Sequence, residues 1–308
     1  MTYTAAQLVP LLDSWAISLR AERKSEGTIK TYGDGARPYL AWCAERPELD
    51  PLSRSTLSSW ITELMTAGRS ASTAKTRLMG VQRFTCWLAA EDEIEADPFH
   101  RVKPPKVDEP VIPVLSDDEL RALIAACQPT GAKDRSGLAS LRHRRDEAIV
   151  RVMVETGMRA SECVGLRVDD VDMGEHTIVI RRGKGGKGRT VAFGPKAALA
   201  LDRYLRVRRL HPLAETGALW LGERGRLLGY GGLYRTLSLR GQAAGIADLH
   251  PHRLRHTSTD RWLAAGGSEQ GAMAQHGWAR SDMLARYGRA NRERRAIAEA
   301  RELNLGDF

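Results

Sequence analysis

Asp97-Pro98-Phe99-His100-Arg101-Val102-Lys103-Pro104-Pro105-Lys106-Val107-Asp108-Glu109-Pro110-Val111-Ile112-Pro113 is where the hydrophobic periodicity of the chain stops. Five prolines with charged residues between them read as an extended linker. The stretch divides the chain into a first domain at 1–103 and a second at 112–308. At 308 residues there is enough chain for each part to bury its own core.

Upstream of the linker, Leu8, Leu11, Leu12, Trp15 and Leu19 recur at three- and four-residue steps and predict one amphipathic helix. Further helices are expected over Tyr32–Ala44 and Ser55–Thr66, and a fourth carries Leu78, Val81, Phe84 and Leu88, with Lys75, Arg77 and Arg83 among them. The first domain therefore reads as all-helical. Downstream, Ser116-Asp117-Asp118-Glu119 is a capping box that opens a new helix. After a polar stretch from Gly131 to Ser140, a helix holding Ile149, Val152 and Met153 runs into Thr156-Gly157-Met158-Arg159-Ala160-Ser161-Glu162. The runs Thr177–Ile180 and Thr190–Phe193 predict a hairpin about a glycine-rich turn, and from Pro195 onward the chain reads mostly helical. The fold class is thus mainly α, with a mixed α+β second domain built on a small antiparallel sheet.

A formal charge of +9 and a pI near 9.6 favour a polyanionic partner, nucleic acid first. Cys43, Cys86, Cys127 and Cys163 stand far apart in apolar stretches with no C-x-x-C pair, which fits buried thiols in a reducing compartment. Met1–Pro10 lacks the pattern of a signal peptide, and no apolar run reaches the roughly 18 residues of a membrane span. A cytoplasmic, nucleoid-associated protein without membrane contact is expected.

Three segments carry polar chemistry, and each has a bland reading when taken alone. Gly183-Lys184-Gly185-Gly186-Lys187-Gly188-Arg189-Thr190 comes near a phosphate-binding loop, but Arg189 stands where that motif needs lysine and the flanks are strands. Alone it is a basic hairpin tip. In His250-Pro251-His252-Arg253-Leu254-Arg255-His256, His252 and His256 share a helix face at metal-ligand spacing, yet no acidic or cysteine ligand matches and the arginines disfavour a cation. Alone it is a basic helix start. Gln275-His276-Gly277-Trp278 precedes Met283, Leu284, Arg286 and Tyr287, and a lone helical tyrosine is ordinarily a packing residue.

Taken in order, these segments resemble the tyrosine recombinase (phage integrase) family in a Cre/Xer-like form. The matching residues are Arg159 in T-G-M-R-A-S-E, Lys184 in the turn, His252-x-x-Arg255, Trp278 after glycine, and Tyr287. The resemblance covers about Pro113 to Ala290, and the first domain is similar in size to the family's SAM-like core-binding domain. Many members carry histidine where Trp278 stands, and some, including the Cre recombinase, carry tryptophan. An indole N–H donates a hydrogen bond but transfers no proton. His276, two residues earlier, is out of register with the family histidine.

The resemblance implies cleavage and rejoining of double-stranded DNA without metal or other cofactor. Tyr287 is the implied nucleophile, forming a 3′-phosphotyrosyl bond and freeing a 5′-hydroxyl. Two rigid, permanently charged forks, Arg159 and Arg255, suit the non-bridging oxygens, with His252 and Trp278 as further donors. A phenol with pKa near ~10 needs a base, for which His252 is the candidate, while Lys184 protonates the leaving oxygen as general acid and Glu162 orients Arg159. The resemblance further implies a dimer on each site and a tetramer at synapsis, with the helix at Arg292–Leu303 docking on a neighbour. It also implies two domains gripping the duplex mainly through phosphates. No arm-site module is read before the helical domain, and no directionality factor is identified by the sequence. Integration or excision of a mobile element such as a phage is favoured over resolution of replicon dimers. Two other readings are a type IB topoisomerase, which would relax supercoils without exchanging partners, and a non-catalytic DNA-binding protein on the same fold.

Overall fold

The computed structural model describes residues 3–107, 113–128, 138–181, 188–223, 225–278, 296–297 and 299–303, and separates into two compact units, Met1–Pro110 and Val111–Phe308. Among the described residues no helix is long and apolar enough to cross a membrane.

The first unit holds five helices, α1 (Ala5–Leu8), α2 (Leu11–Ala21), α3 (Glu26–Ala44), α4 (Arg54–Thr66) and α5 (Ala71–Ala90). Sequence periodicity joins Leu8 to the residues after it, but Pro10 has no N–H to continue the ladder, so α1 ends and α2 starts afresh. Both short pieces still turn Leu8, Leu12, Trp15 and Leu19 into one core with Tyr39, Leu57, Trp60 and Phe84. Helix α3 begins well before Tyr32, because Ser25 accepts from the Thr28 amide and caps it at Glu26. The linker also starts later than its prolines suggest. Phe99 is fully buried in this core, and Gln82 donates to the carbonyls of Phe99 and Val102. Burial of one aromatic ring outweighs the local preference of its neighbours for an extended chain.

Helices α3 and α5 cross where Gly35 faces Gly80. A Cβ on Gly80 would stand 2.5 Å from the Tyr32 carbonyl oxygen and 3.0 Å from the Gly35 Cα. Gly80→Ala must therefore push two helices apart, and is expected to cost the first unit about 2 kcal/mol. The check is the midpoint of thermal unfolding followed by far-UV circular dichroism, and an unchanged midpoint would contradict the crossing.

The second unit opens on α6 (Asp117–Ala126), whose Ser116–Glu119 capping box forms as read from the sequence. The long helix α7 (Leu138–Thr156) packs against α9 (Pro195–Arg208) and α11 (Pro251–Ala264), and its buried residues Ile149, Val152 and Met153 anchor the core. Short α8 (Ala160–Val164) leads to a three-stranded antiparallel sheet, β1 (Val171–Asp172), β2 (Thr177–Ile180) and β3 (Arg189–Ala192), in that order. The hairpin is as expected, with β1 added outside it. The second strand begins at Arg189, which pairs with Ile180 and so belongs to the ladder rather than to the turn. Helices α10 (Tyr230–Ala243) and α12 (Glu269–His276) also belong to the unit.

Candidate active site

Two helices end against each other here, each on a glycine. At the end of α7, Gly157 takes a left-handed conformation (φ +58°) and its amide donates to the Met153 carbonyl. At the end of α12, Gly277 does the same (φ +64°), and the Trp278 amide donates back to the Met273 carbonyl. Only glycine enters this region without strain. The chain after Gly157 presents Arg159 as the residue preceding α8, and the chain after Gly277 presents Trp278.

Helix α11 starts on Pro251, a residue that fits the first helical turn, and so places His252 and Arg255 one turn apart. His252 is exposed, whereas Arg255 is 2% exposed. The Arg255 guanidinium donates to the carbonyls of Gly157 and His276, the second at 2.7 Å, and sits 5.1 Å from the Trp278 ring. Arg159 lies nearer the surface and donates to the Gly277 carbonyl (3.0 Å) and to Glu162 Oε1 (2.8 Å). Its backbone amide donates to Glu162 Oε2, which holds the start of α8. Although His252 reaches solvent, partial desolvation of its ring, followed by the charges of Arg255, His250 and Arg159, lowers its pKa, which favours the neutral imidazole that can accept a proton.

The structure thus brings together five of the seven residues singled out in the sequence, Arg159, Glu162, His252, Arg255 and Trp278. Lys184 and Tyr287 lie outside the described residues. Of the C-terminal helix expected at Arg292–Leu303, residues 296–297 and 299–303 are described and are helical. His252 and His256 do face each other, ring centres 5.9 Å apart, but among the described residues no third acidic, cysteine or histidine group joins them. Arg253 turns elsewhere, donating to the Pro113 and Ala247 carbonyls and to Glu119.

Two residues that sequence reasoning passed over are central. His276, out of register for the family position, is fully buried between the helix ends, stacked on Trp278 with ring centres 5.0 Å apart. Its Nδ1 donates to the Ala272 carbonyl (2.8 Å), so its Nε2 is the bare nitrogen that accepts from the Ser258 hydroxyl (3.1 Å). The other is Arg189, whose signal was its parity. Inward positions of β3 alternate, and Arg189 shares a face with buried Val191.

Burial drives the pKa of His276 down to about 4, and Arg255, Arg189 and Arg159 add to the effect. Burial likewise takes His256 to about 4. The unfolded chain binds these protons at an ordinary pKa near 6.5, so it gains protons first as the pH drops. The stabilisation is whole above pH 6.5 and is lost progressively towards pH 4, by about 3 kcal/mol for each histidine. Urea unfolding at pH 7 and pH 4.5 should show this fall, and His276→Gln should remove part of it. A variant with the full wild-type slope would exclude His276 from the effect.

Residues 113–294 match the phage integrase family, and residues 12–92 match the phage integrase N-terminal SAM-like domain. Tyrosine recombinase XerC of Mycobacterium bovis (strain BCG / Pasteur 1173P2) is 42% identical over 178 residues, covering 56% of this chain and 57% of that protein. Tyrosine recombinase XerD of Bifidobacterium longum (strain NCC 2705) is 34% identical over 181 residues, covering 56% of each. The match therefore spans little more than half the length of these curated relatives. In fold, the chain resembles the XerH site-specific recombinase bound to a palindromic difH substrate, with TM-score 0.71, 18% identity, and coverage of 96% of this chain and 84% of that one. It also resembles the Tn1549 transposon integrase in complex with transposon right end DNA, with TM-score 0.69, 18% identity, and coverage of 98% and 99%.

Proposed function

We propose, since this chain belongs to the phage integrase family of tyrosine recombinases, that it is a site-specific DNA recombinase that cuts and rejoins duplex DNA through a 3′-phosphotyrosyl bond to Tyr287. The observation that carries this is the convergence of Arg159, His252 and Arg255 beside Trp278, where two helix ends meet just ahead of the segment bearing Tyr287. Residues 112–308 are the catalytic domain, and residues 1–103 are the helical DNA-binding domain.

The phenolic oxygen of Tyr287 attacks phosphorus, and the bond from phosphorus to the 5′-oxygen breaks. The leaving oxygen takes its proton from Lys184, and the phenol gives its own towards His252. Arg159 and Arg255 face the charge that grows on the non-bridging oxygens, and Trp278 packs against Arg255. Glu162 keeps Arg159 in place. Attack by a 5′-hydroxyl of a second duplex reverses the step and completes the exchange. Two protomers hold each site, and four assemble at synapsis.

The test is a suicide substrate. Wild-type protein is incubated with nicked duplexes tiled across the genomic neighbourhood of its gene and then resolved on a denaturing gel. A shifted protein band supports the reading, and its absence on every duplex opposes it. Sites mapped to the ends of a mobile element identify an integrase, which is the use the basic sequence reading favours. A second use, resolution of replicon dimers, is supported by the similarity to relatives named XerC and XerD. It predicts cleavage at one chromosomal site that lies outside any element.

A further inference from the structure

We infer that Arg189 is a positioning residue for strand cleavage, holding Glu162 so that this carboxylate orients Arg159 without neutralising it. The inference rests on the recombinase reading above and extends it to a residue outside the six implied to take part in the chemistry.

Arg189 spends all three of its nitrogens inside the protein. Its Nη1 donates to Glu162 Oε1 at 3.0 Å, its Nη2 to Glu162 Oε2 at 2.7 Å, and its Nε to the Gln275 carbonyl at 3.1 Å. This is the two-pronged pairing of a guanidinium with a carboxylate, the strongest such arrangement, and Arg189 is 12% exposed in it. Arg159 touches the same carboxylate through a single side-chain bond, to Oε1. Two cations thus share one anion unequally. The guanidinium of the buried strand arginine takes both oxygens, and that of the outer arginine takes one, while the Arg159 backbone amide also donates to Oε2.

Three consecutive carbonyls complete the arrangement. At the end of α12, Gln275, His276 and Gly277 accept from Arg189, Arg255 and Arg159 respectively. These are the carbonyls a helix leaves without partners, at the negative end of its dipole. One helix end therefore fixes the spacing of all three guanidiniums, and the cations crowd together without needing further carboxylates. Glu162, 3% exposed, shows how tightly it is held. Burial pushes its carboxyl up, but the bonds from Arg189 and Arg159 outweigh this and bring it down to about 2.

Remove the charge at position 189, and Glu162 has only Arg159 to pair with. The carboxylate then closes on Arg159 with both oxygens, and the guanidinium that should meet the scissile phosphate becomes half of a neutral pair. Such a loss depends on the charge of the phosphate. A merely structural role, tying β3 to α12, would not depend on it.

The experiment therefore compares the protein's mapped core site as a nicked phosphodiester substrate with the same duplex carrying an uncharged methylphosphonate at the scissile position. Arg189→Gln should slow adduct formation on the phosphodiester by about 10- to 100-fold, as loss of an outer partner commonly does. On the methylphosphonate, where less charge must be met, the slowing should stay below about threefold. DNA affinity should not change. Arg189→Lys keeps a cation beside Glu162 and should recover most of the rate. Where the glutamine variant does not fold, the lysine variant gives the same ratio of ratios at smaller amplitude. Combining Arg189→Gln with Glu162→Gln should be no slower than the slower single variant, because one residue acts through the other. Equal slowing on both substrates, or no slowing, overturns the inference while leaving the recombinase reading intact. No adduct from the wild-type protein overturns both.

Discussion

Tyr287→Phe protein should hold nicked core-site DNA as tightly as the wild type and form no covalent adduct with it. The substitution removes one oxygen and keeps the ring, so contacts with the DNA backbone, which supply most of the affinity, are left in place. What disappears is the only atom proposed to bond to phosphorus. Among the described residues at the site, the arginines are donors without a lone pair to offer, and His252 is assigned to take the proton. The rate of adduct formation should fall by at least about 10⁴-fold, the scale on which removal of a nucleophile is felt. Gel retardation measures the first half of this expectation, and a denaturing gel with labelled DNA measures the second. Retained adduct in the variant would take the nucleophile's role away from Tyr287, and lost binding would show that the hydroxyl serves recognition.

Gly157→Ala should severely damage the second unit by a single methyl group. The residue sits at φ +58°, where an L-side chain costs about 1 kcal/mol or more. The added carbon would also overlap the His276 ring and stand 3.0 Å from Ser258 Oγ. His276 has nowhere to withdraw, being fully buried with both ring nitrogens bonded and one face stacked on Trp278. Overpacking of that kind adds about 1–3 kcal/mol, so a total loss of about 2–4 kcal/mol is expected in denaturant unfolding. The consequence for activity follows the same contacts. Gly157 and His276 supply the two carbonyls that hold Arg255, and the next residue, Gly277, supplies the one that holds Arg159. Moving one helix end by about 1 Å misplaces both arginines, and about a 100-fold loss in cleavage by the folded protein is expected. Stability within 1 kcal/mol of wild type would mean that the two helix ends yield more easily than their packing indicates.

The contrast between these variants reflects what a sequence displays. The helices of the first unit announce themselves through the spacing of Leu12, Trp15 and Leu19, and α6 through its capping box, because each depends on residues within one or two turns. The glycines that end α7 and α12 are equally local, since a left-handed residue is demanded by the backbone itself. Pro10 and Phe99 mark the limits of such reading. The first interrupts a periodic pattern without moving its residues out of the core, and the second is drawn into that core from a stretch with the composition of a linker.

The sequence by itself determined the two-part organisation, the mainly helical class with a hairpin in the second part, and the ordered set of polar residues from Arg159 to Tyr287. Which acceptors hold each arginine was decided only by tertiary structure. Arg159, Arg189, Arg253 and Arg255 are alike as letters. Yet Arg253 serves the start of α6, Arg189 serves a carboxylate 27 residues away, and Arg159 reaches a carbonyl 118 residues away. The physical reason is that a guanidinium's role depends on which acceptors are buried beside it. Those acceptors, the spent end of α12 above all, come from segments that meet only when the chain has folded.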